Sequence, residues 1–324
     1  MGSRSLQFSA MLLIIIALSA SIMRSSEALS ANYYVQSCPD ALYTIRRIVE
    51  QAVRNEPRMG ASLLRLHFHD CFVNGCDGSN LLDDTRSFQG EKTARPNLNS
   101  LRGFEVIDQI KSTLNSACGG NVVSCADIVA VAARDSVNIL GGPSYPVYLG
   151  RLDSRTASLN DANNHIPAPF FSLQQLINNF QNHNLNLQDL VVLSGGHTIG
   201  VSRCALFLPR LANDSNINAQ FKATLQQGCP NPAAQNNNTT PLDSTTNLFD
   251  TAYFQNLLQF KGLLHSDQEL FKNDGSKTDK LVQFYSNNPR AFWYDFGVSM
   301  IKMGNLSPPS GTKGEVRLNC RRIN

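Results

Sequence analysis

The sequence lacks the features that mark a nucleic-acid-binding protein or a membrane protein. Its lysines and arginines form no runs, and the formal net charge is only +3 over 324 residues. Such a weak, scattered charge gives no footprint for nucleic acid or for an acidic membrane surface. Apolar runs long enough to cross a bilayer are also missing, because the longest one, at residues 10–20, is too short. We therefore expect no nucleic acid or membrane partner for the mature chain.

The short apolar run is instead typical of a targeting segment. Arg4 precedes it, and small residues follow it at 25–31. This order favours a signal peptide over residues 1–28, cleaved between 28 and 30, although a membrane anchor is the alternative. The rest of the chain, 29–324, shows no linker and no internal repeat, so we predict a single domain.

The eight cysteines include no C-x-x-C pair, and their irregular spacing argues against a zinc site. In a secreted protein they are expected to form disulfides. Many pairings are open to eight cysteines, and only Cys71 with Cys76 is suggested by proximity. In a secreted protein, N-x-S/T sequons are candidate glycosylation sites. The three candidates are Asn213, Asn237 and Asn238.

Alternating apolar and polar residues, the sign of half-buried strands, are almost absent. Apolar residues instead recur every three to four positions, which predicts helices. Asp40 is a candidate N-cap for the first of them, with Pro57 as its stop, and Ser124 opens another near a capping box. The predicted helical segments are 40–57, 103–120, 124–142, 172–184, 249–262 and 290–305. The chain is therefore predicted to be mostly α, with long loops, of which the Asn- and Pro-rich 229–242 is the least ordered.

An unusual concentration of polar residues lies in the apolar stretch at 61–80. On a helix, Arg65 and His69 share one face, whereas His67 points roughly 200° away from His69. The two histidines therefore cannot share a metal, which argues against a zinc hydrolase. An arginine above a histidine suits a site where the histidine moves a proton and the arginine stabilises negative charge. The alternative is a buried Arg–Asp pair beside a histidine at a helix end.

The loop that follows this stretch is rich in oxygen ligands. Asp70, Asp77 and Ser79 lie close together, and Gly75 and Gly78 allow tight turns between them. Carboxylates, hydroxyls and backbone carbonyls are the ligands that calcium takes. The spacing is not that of an EF-hand, and a bridge between the neighbouring cysteines could shape the loop without metal.

A second histidine stands out further along the chain. His197 follows an apolar stretch and a glycine pair, which would let a large flat group approach the backbone. A lone histidine in apolar surroundings is more often a core residue than a ligand. Asp267 raises the case for a ligand, because a carboxylate is the usual partner of a metal-bound imidazole.

Taken together, the segments "RLHFHDCFVNGCDGS", "SGGHTIG", "GLLHSDQELF" and "RLNCR" resemble the class III secretory plant peroxidases of the horseradish type. The resemblance runs from about residue 32 to the C-terminus. It implies a mostly α, two-lobed fold with one haem b between a distal and a proximal part. It also implies two calcium ions per chain.

The resemblance assigns roles to the polar residues on both sides of the haem. His197 would bind the iron, and Asp267 would accept a hydrogen bond from its other nitrogen. His69 would move a proton between the two peroxide oxygens, Asn97 would fix its tautomer, and Arg65 would stabilise the charge on the departing oxygen.

Further site residues follow from the same resemblance. Pro167 would line the channel for aromatic donors, and Arg58, Ser62 and Ser100 would lie near the haem propionates. The distal calcium ligands would be Asp70, Val73, Gly75, Asp77 and Ser79. The proximal calcium ligands would be Thr198, Asp243, Thr246 and Asp250. The implied disulfides are Cys38–Cys118, Cys71–Cys76, Cys125–Cys320 and Cys204–Cys229.

Some positions depart from the family pattern. The stretch "TTNLFD" before the last calcium ligand is one residue short and lacks the usual proline. Arg95 and Leu206 stand where the horseradish-type enzyme has phenylalanines near the haem edge. These changes leave the peroxide chemistry intact but affect the choice of donor.

The expected function is a secreted, monomeric haem peroxidase of the cell wall space. It would reduce hydrogen peroxide to water and oxidise phenolic donors by one-electron steps. The alternative is a glycosylated haem- and calcium-binding wall protein without turnover. Arg65, His69 and Asn97 discriminate between the two, because a protein without turnover has no need of all three.

Overall fold

Helices carry most of the regular structure in residues 28–230 and 238–324, which the computed structural model describes. Their bounds, in chain order, are α1 Ala41–Asn55, α2 Arg58–Cys71, α3 Phe104–Ala117, α4 Cys125–Ile139, α5 Leu159–His165, α6 Leu173–Asn182, α7 Leu187–Ser194, α8 Leu208–Asn213, α9 Ala219–Gly228, α10 Ala252–Leu258, α11 His265–Gln268, α12 Lys277–Asn287 and α13 Pro289–Gly304. The mostly α prediction is confirmed.

Strands within the described ranges form only two small antiparallel pairs. Strand β1 (Asp153–Ser154) pairs with β4 (Gly314–Glu315), and β2 (Val201–Arg203) pairs with β3 (Thr239–Pro241). The first pair attaches the C-terminal segment to the middle of the chain. The second pair closes the segment that follows His197.

Local capping agrees in part with the sequence signals. The Ser124 hydroxyl accepts a hydrogen bond from the Asp127 amide at the start of α4, as predicted. Asp40 does precede α1, but its side chain makes no capping hydrogen bond. The predicted stop is right, since α1 ends at Asn55 and Pro57 is the N-cap residue of α2.

The core forms around α4, which is buried on nearly all sides. Helices α1 and α2 pack against it, so the face of α2 with Leu63 and Leu66 is fixed in the core. A smaller apolar cluster, which includes Phe207, Leu211 and Leu263, supports the helices that follow His197. The position of α2 matters most, because it carries Arg65 and His69.

Four disulfides tie the loops to this frame, and all eight cysteines are used. The bonded pairs are Cys38–Cys118, Cys71–Cys76, Cys125–Cys320 and Cys204–Cys229. They are the pairs that the family resemblance implies. Each native bridge of this kind adds roughly 2–5 kcal/mol to the free energy of unfolding.

The C-terminal segment closes the distal side of the molecule. Arg317 is fully buried, and its guanidinium donates to the carbonyl oxygens of Gly78 and Cys320. Its backbone amide donates to Asp153 Oδ2 at 2.8 Å. The last residues of the chain therefore complete the loop that contains Asp77.

No helix within the described ranges is long and apolar enough to cross a membrane. The predicted signal peptide, apart from Ala28, and the sequon at Asn237 lie outside the residues that the structure describes.

Candidate active site

Helix α2 presents Arg65 and His69 on one face, as the spacing predicts. His69 Nδ1 lies 2.6 Å from Asn97 Oδ1, and Arg65 Nε lies 3.2 Å from His69 Nε2. Because the amide oxygen can only accept, Nδ1 carries the proton and Nε2 keeps its lone pair. The arrangement leaves His69 with one nitrogen able to accept a proton from a bound molecule.

The environment of His69 keeps this imidazole neutral. Burial lowers its pKa most, the neighbouring Arg65 lowers it further, and the hydrogen bond to Asn97 raises it only in part. The resulting pKa lies well below the ordinary value of histidine. His69 is therefore a base at neutral pH.

Arg65 is held by the loop that carries Asn97. Its guanidinium donates to Pro96 O at 2.6 Å, to Ser100 O at 2.9 Å and to the Ser100 hydroxyl at 3.0 Å. Burial lowers the pKa of Arg65 to about 10, with further lowering by Arg203 and Arg58. The guanidinium is still charged at neutral pH and is rigidly placed beside His69.

His67 lies on the opposite face of α2, in agreement with the helix geometry. Its ring is buried, lies 3.5 Å from Cys71 Sγ and faces Gly304. Burial lowers its pKa to about 3, helped by Arg151. In the described part of the chain, His67 with Cys71 and Cys76 is the one group of three with metal-ligand spacing. Both cysteines are in a disulfide, so this is not a zinc site.

The second histidine is held by a carboxylate. His197 Nδ1 lies 2.8 Å from Asp267 Oδ1, and Asp267 also accepts from Tyr253 Oη at 3.2 Å and from Leu264 N at 3.0 Å. Burial lowers the pKa of His197, but the charge of Asp267 and its hydrogen bond together raise it by more, so the net shift is upward. The side chain of His197 is 41% exposed, so Nε2 is accessible to a ligand.

The segment with His197 packs directly onto α2. Gly200 has a φ of +96°, and a Cβ there would lie 2.8 Å from Ala61 Cβ. A Cβ at Gly196 would meet the Leu64 side chain at 3.5 Å. Glycine at 200 is thus required both for the backbone angle and for the close approach. This contact brings the His197 segment to the helix that carries His69.

The residues predicted for the distal calcium site lie together in a buried loop. Asp70 Oδ2 accepts from Gly78 N, and Asp77 Oδ1 accepts from Ser79 N, both at 3.0 Å. The other Asp70 oxygen and the Ser79 hydroxyl are buried without a hydrogen-bond partner. Glu91, which the sequence analysis missed, adds a third carboxylate, and its Oε2 is unpartnered in the same way.

All three carboxylates of this loop have raised pKa values. Burial, and after it the charge of Asp77, raises the pKa of Asp70 well above its usual value. Burial raises the pKa of Asp77 to about 6, and burial with the charge of Asp70 raises that of Glu91. Three buried acids, two of them with an unpartnered oxygen, fit a hard divalent cation such as calcium.

The backbone of this loop is shaped for close approach. Asn74 and Gly75 adopt φ angles of +63° and +91°. A Cβ at Gly75 would lie 2.5 Å from the backbone of Ser307. Val73, the remaining predicted ligand, is buried next to this turn.

The predicted proximal calcium residues also meet, with one difference. The Thr198 hydroxyl donates to Asp243 Oδ2 at 2.7 Å and lies 3.1 Å from Asp250 Oδ1. Thr245 Oγ1 lies 3.1 Å from the same Asp250 oxygen, whereas Thr246 contributes its carbonyl to Gly200 N. Burial and, to a smaller extent, the charge of Asp250 raise the pKa of Asp243 to about 6. Thr245 is an additional candidate ligand, and the shortened loop is the signal that could have revealed it.

Pro167 and the accessible sequons lie at the surface. Pro167 is partly exposed and follows α5, whose Asn163 Oδ1 accepts from Arg95 N at 2.8 Å. The segment with Pro167 is thus joined to the loop with Asn97. Asn213 and Asn238 are exposed, as glycosylation requires.

Comparison with known proteins agrees with this geometry. The family model described as Peroxidase matches residues 45–288. Peroxidase RIP1 of Medicago truncatula is 55% identical over 312 residues, which cover 96% of each chain. Peroxidase 4 of Vitis vinifera is 55% identical over 93% of each chain. Peroxidase P7 of Brassica rapa subsp. rapa is 54% identical over 298 residues, 91% of this chain and all of the relative.

These matches and the helical fold define the protein as a haem peroxidase. The chain belongs to the class III plant peroxidases. Its substrates are therefore hydrogen peroxide and an organic donor, and its cofactor is haem.

Proposed function

We propose that the protein is a secreted peroxidase that binds one haem b between His197 and His69 and oxidises phenolic donors by one-electron steps. One observation carries the proposal. Each histidine has its Nδ1 fixed by a neighbour, Asp267 or Asn97, so that the lone pair stays on Nε2, which at His69 lies beside the Arg65 guanidinium. The two lie on segments that pack against each other through Gly200 and α2.

The donor set fits a haem. An accessible imidazole nitrogen, backed by a carboxylate on the other nitrogen, is the usual axial ligand arrangement. Asp267 would make the His197 imidazole a stronger electron donor, and Tyr253 with Leu264 would hold that carboxylate in place. When bound, the haem would take up the two oxidising equivalents of peroxide and pass them to donors in one-electron steps.

The distal residues would handle the protons. His69 Nε2 would take a proton from one peroxide oxygen and deliver it to the other, which would leave as water. Arg65 would stabilise the negative charge on that leaving oxygen, because its guanidinium is already placed and charged. Asn97 would keep the proton on Nδ1, so that Nε2 stays basic.

Two further elements complete the proposal. Phenolic donors would meet the haem edge beside Pro167, which is partly exposed. Signal-peptide cleavage between 28 and 30 would leave one domain, active as a monomer in the cell wall space, with glycans at candidate Asn213, Asn237 or Asn238. The four disulfides support an oxidising compartment.

An absorption spectrum tests the haem assignment. No C-x-x-C-H attachment motif is present, so the haem should be non-covalent. We expect a Soret band in the purified protein and complete extraction of the haem into acidified organic solvent. A folded, colourless preparation from haem-replete cells would refute the proposal.

We further propose two bound calcium ions. The distal ion would be held by Asp70, Val73, Gly75, Asp77 and Ser79. The proximal ion would be held by Thr198, Asp243, Asp250 and a threonine of the shortened loop, Thr246 or its neighbour Thr245. The unpartnered buried oxygens of the distal loop support the first site. The Thr198 hydroxyl, which lies between the carboxylates of Asp243 and Asp250, supports the second site.

The proximal ion should be the weaker of the two. The loop from Thr246 to Asp250 is one residue shorter than the family pattern, which moves Asp250 relative to Thr246. The missing proline leaves the unbound loop more conformations to lose on binding. The distal loop is held by the Cys71–Cys76 bridge. Stepwise chelation should therefore remove the proximal ion first and perturb the iron spin state, because Thr198 adjoins His197.

A calcium titration with a loop variant provides the check. Inserting proline between Thr246 and Asn247 should bring the two dissociation constants closer. Two equally tight sites in the unmodified protein would contradict the prediction.

A further inference from the structure

An excess of positive charge surrounds the loop that carries Asn97. Arg95 belongs to this loop and is exposed. Arg203, at the end of β2, donates from Nη2 to Leu98 O at 3.3 Å. Arg65 donates to other carbonyls of the same loop. Guanidinium groups thus reach the loop from α2 and from the His197 segment.

The described residues offer these arginines almost no negative charge. Arg102 pairs with Glu56 at 2.7 Å, but no carboxylate in the described ranges lies within 4.0 Å of the side-chain nitrogens of Arg58, Arg65, Arg95 or Arg203. The Nε of Arg203 is buried without a hydrogen-bond partner. After burial, the charges of Arg203 and Arg58 are what lower the pKa of Arg65. The arginines therefore repel one another, and their positive charge favours the binding of an anionic group at this loop.

Two of these arginines, Arg95 and Arg203, lie near the proposed donor site. Arg95 N donates to Asn163 Oδ1, which places Arg95 beside α5 and the segment with Pro167. Arg203 lies six residues after His197 and contacts the same loop at Leu98 O. Both arginines are therefore at the loop that adjoins the segment with Pro167, where the proposed function brings the donor to the haem edge.

A haem b brings two propionate carboxylates, which can balance two of the four unpaired guanidinium charges. A positive excess then remains at the rim. We propose that Arg95 and Arg203 form a carboxylate-binding rim, which selects phenolic donors that carry a carboxylate over neutral phenols of the same size. This inference rests on the proposed oxidation of donors beside Pro167.

The physical basis is a charge-assisted hydrogen bond at a partly exposed site. Such contacts are stronger than neutral ones but are weakened by salt when exposed. We expect the preference for the charged donor to be roughly 1.5- to 5-fold, the range of one favourable exposed ion pair. The preference should fall as ionic strength rises, whereas turnover of the neutral donor should not show this dependence.

The experiment compares 4-hydroxycinnamate with its primary amide, which has the same phenol and nearly the same shape. The measured quantity is the ratio of the two kcat/KM values in the haem-loaded protein. Arg95→Gln and Arg203→Gln should each lower the ratio, and Arg95→Glu should bring it below one. Arg203→Lys should keep part of the preference for the charged donor, since the positive charge remains. Arg290→Gln, at an exposed arginine of α13, is the matched control and should leave the ratio unchanged.

Binding of cinnamate and cinnamamide, which have no phenol to oxidise, gives a readout independent of turnover. The dissociation constant of cinnamate should rise in both glutamine variants, and that of cinnamamide should rise less. The rate of haem release to an acceptor protein distinguishes an arginine that binds the donor from one that binds a haem propionate. Faster haem release from Arg203→Gln with an unchanged donor ratio would overturn the proposal, because the arginine would then serve the cofactor. An unchanged ratio in Arg95→Glu would overturn it as well.

Failure of this inference is distinct from failure of the proposed function. If neither donor is oxidised by the unmodified protein, the proposed function is wrong. If both are oxidised at equal rates and salt has no effect on their ratio, only the carboxylate-binding rim is wrong.

Discussion

Replacing His69 by alanine should slow peroxide cleavage by more than the ~10²–10⁴-fold that is typical of losing one general acid–base group. One imidazole nitrogen is proposed to accept the first proton and to donate it in the second step, so both transfers are lost together. Arg65→Leu should slow the reaction less, by roughly 10²–10³-fold, because it removes charge stabilisation but leaves the base.

Stopped-flow absorbance after mixing with peroxide measures these rates, normalised to haem content. His67→Gln is the matched control, because His67 lies on the opposite face of the same helix and contacts Cys71. It should leave the rate close to that of the unmodified protein. Because the pKa of His69 lies well below its ordinary value, the unmodified rate should be constant through neutral pH and fall only in acid. If both His69→Ala and Arg65→Leu react at the unmodified rate, the assigned roles are wrong.

Removing calcium should reverse the pH dependence of stability. In the calcium-free protein, the pKa of Asp77 is raised to about 6, above its value in the unfolded chain. The folded state then binds a proton more tightly than the unfolded state, so stability is gained as the pH falls toward 4 and lost as it rises through 6. One such group contributes on the order of 2–3 kcal/mol, and Asp70 and Glu91 act in the same direction. With calcium bound, protons compete with the ion, and stability should instead fall in acid.

Chemical denaturation at pH 5 and pH 7.5, with calcium and with a chelator, measures the effect. Asp77→Asn should stabilise the chelated protein at pH 7.5 and weaken calcium binding. Asp40→Asn, at an exposed carboxylate, is the control and should change neither. If the chelated protein is more stable at pH 7.5 than at pH 5, the carboxylates of the loop are not in the environment described here.

The sequence predicts the distal site well because its chemistry follows from local spacing. Arg65 and His69 are four residues apart on one helix, so their contact needs no knowledge of the rest of the fold. The opposite direction of His67 follows from the same geometry. Asp267 and His197 are 70 positions apart, so local spacing could not place them together, and their pairing rested on the chemistry of imidazole ligands and on the family resemblance.

Other parts of the site depend on long-range packing and could not be predicted. Tyr253 holds Asp267, and Glu91 joins the distal carboxylates, but neither residue belongs to a local pattern that signals its partner. Thr245 replaces the expected hydroxyl beside Asp250 because the deletion shifts the loop by one position. The repulsion among the arginines also becomes visible only when strand β2 is brought to the loop with Asn97.

The buried guanidinium of Arg317 has a consequence for biosynthesis. It bonds to Gly78 across a separation of 239 residues, and Cys320, three positions later, bonds to Cys125. The distal half therefore cannot be completed during translation until residues 317–320 have been made. Until then the acidic loop at Asp70–Asp77 remains uncovered, and calcium can enter it before this segment closes over it.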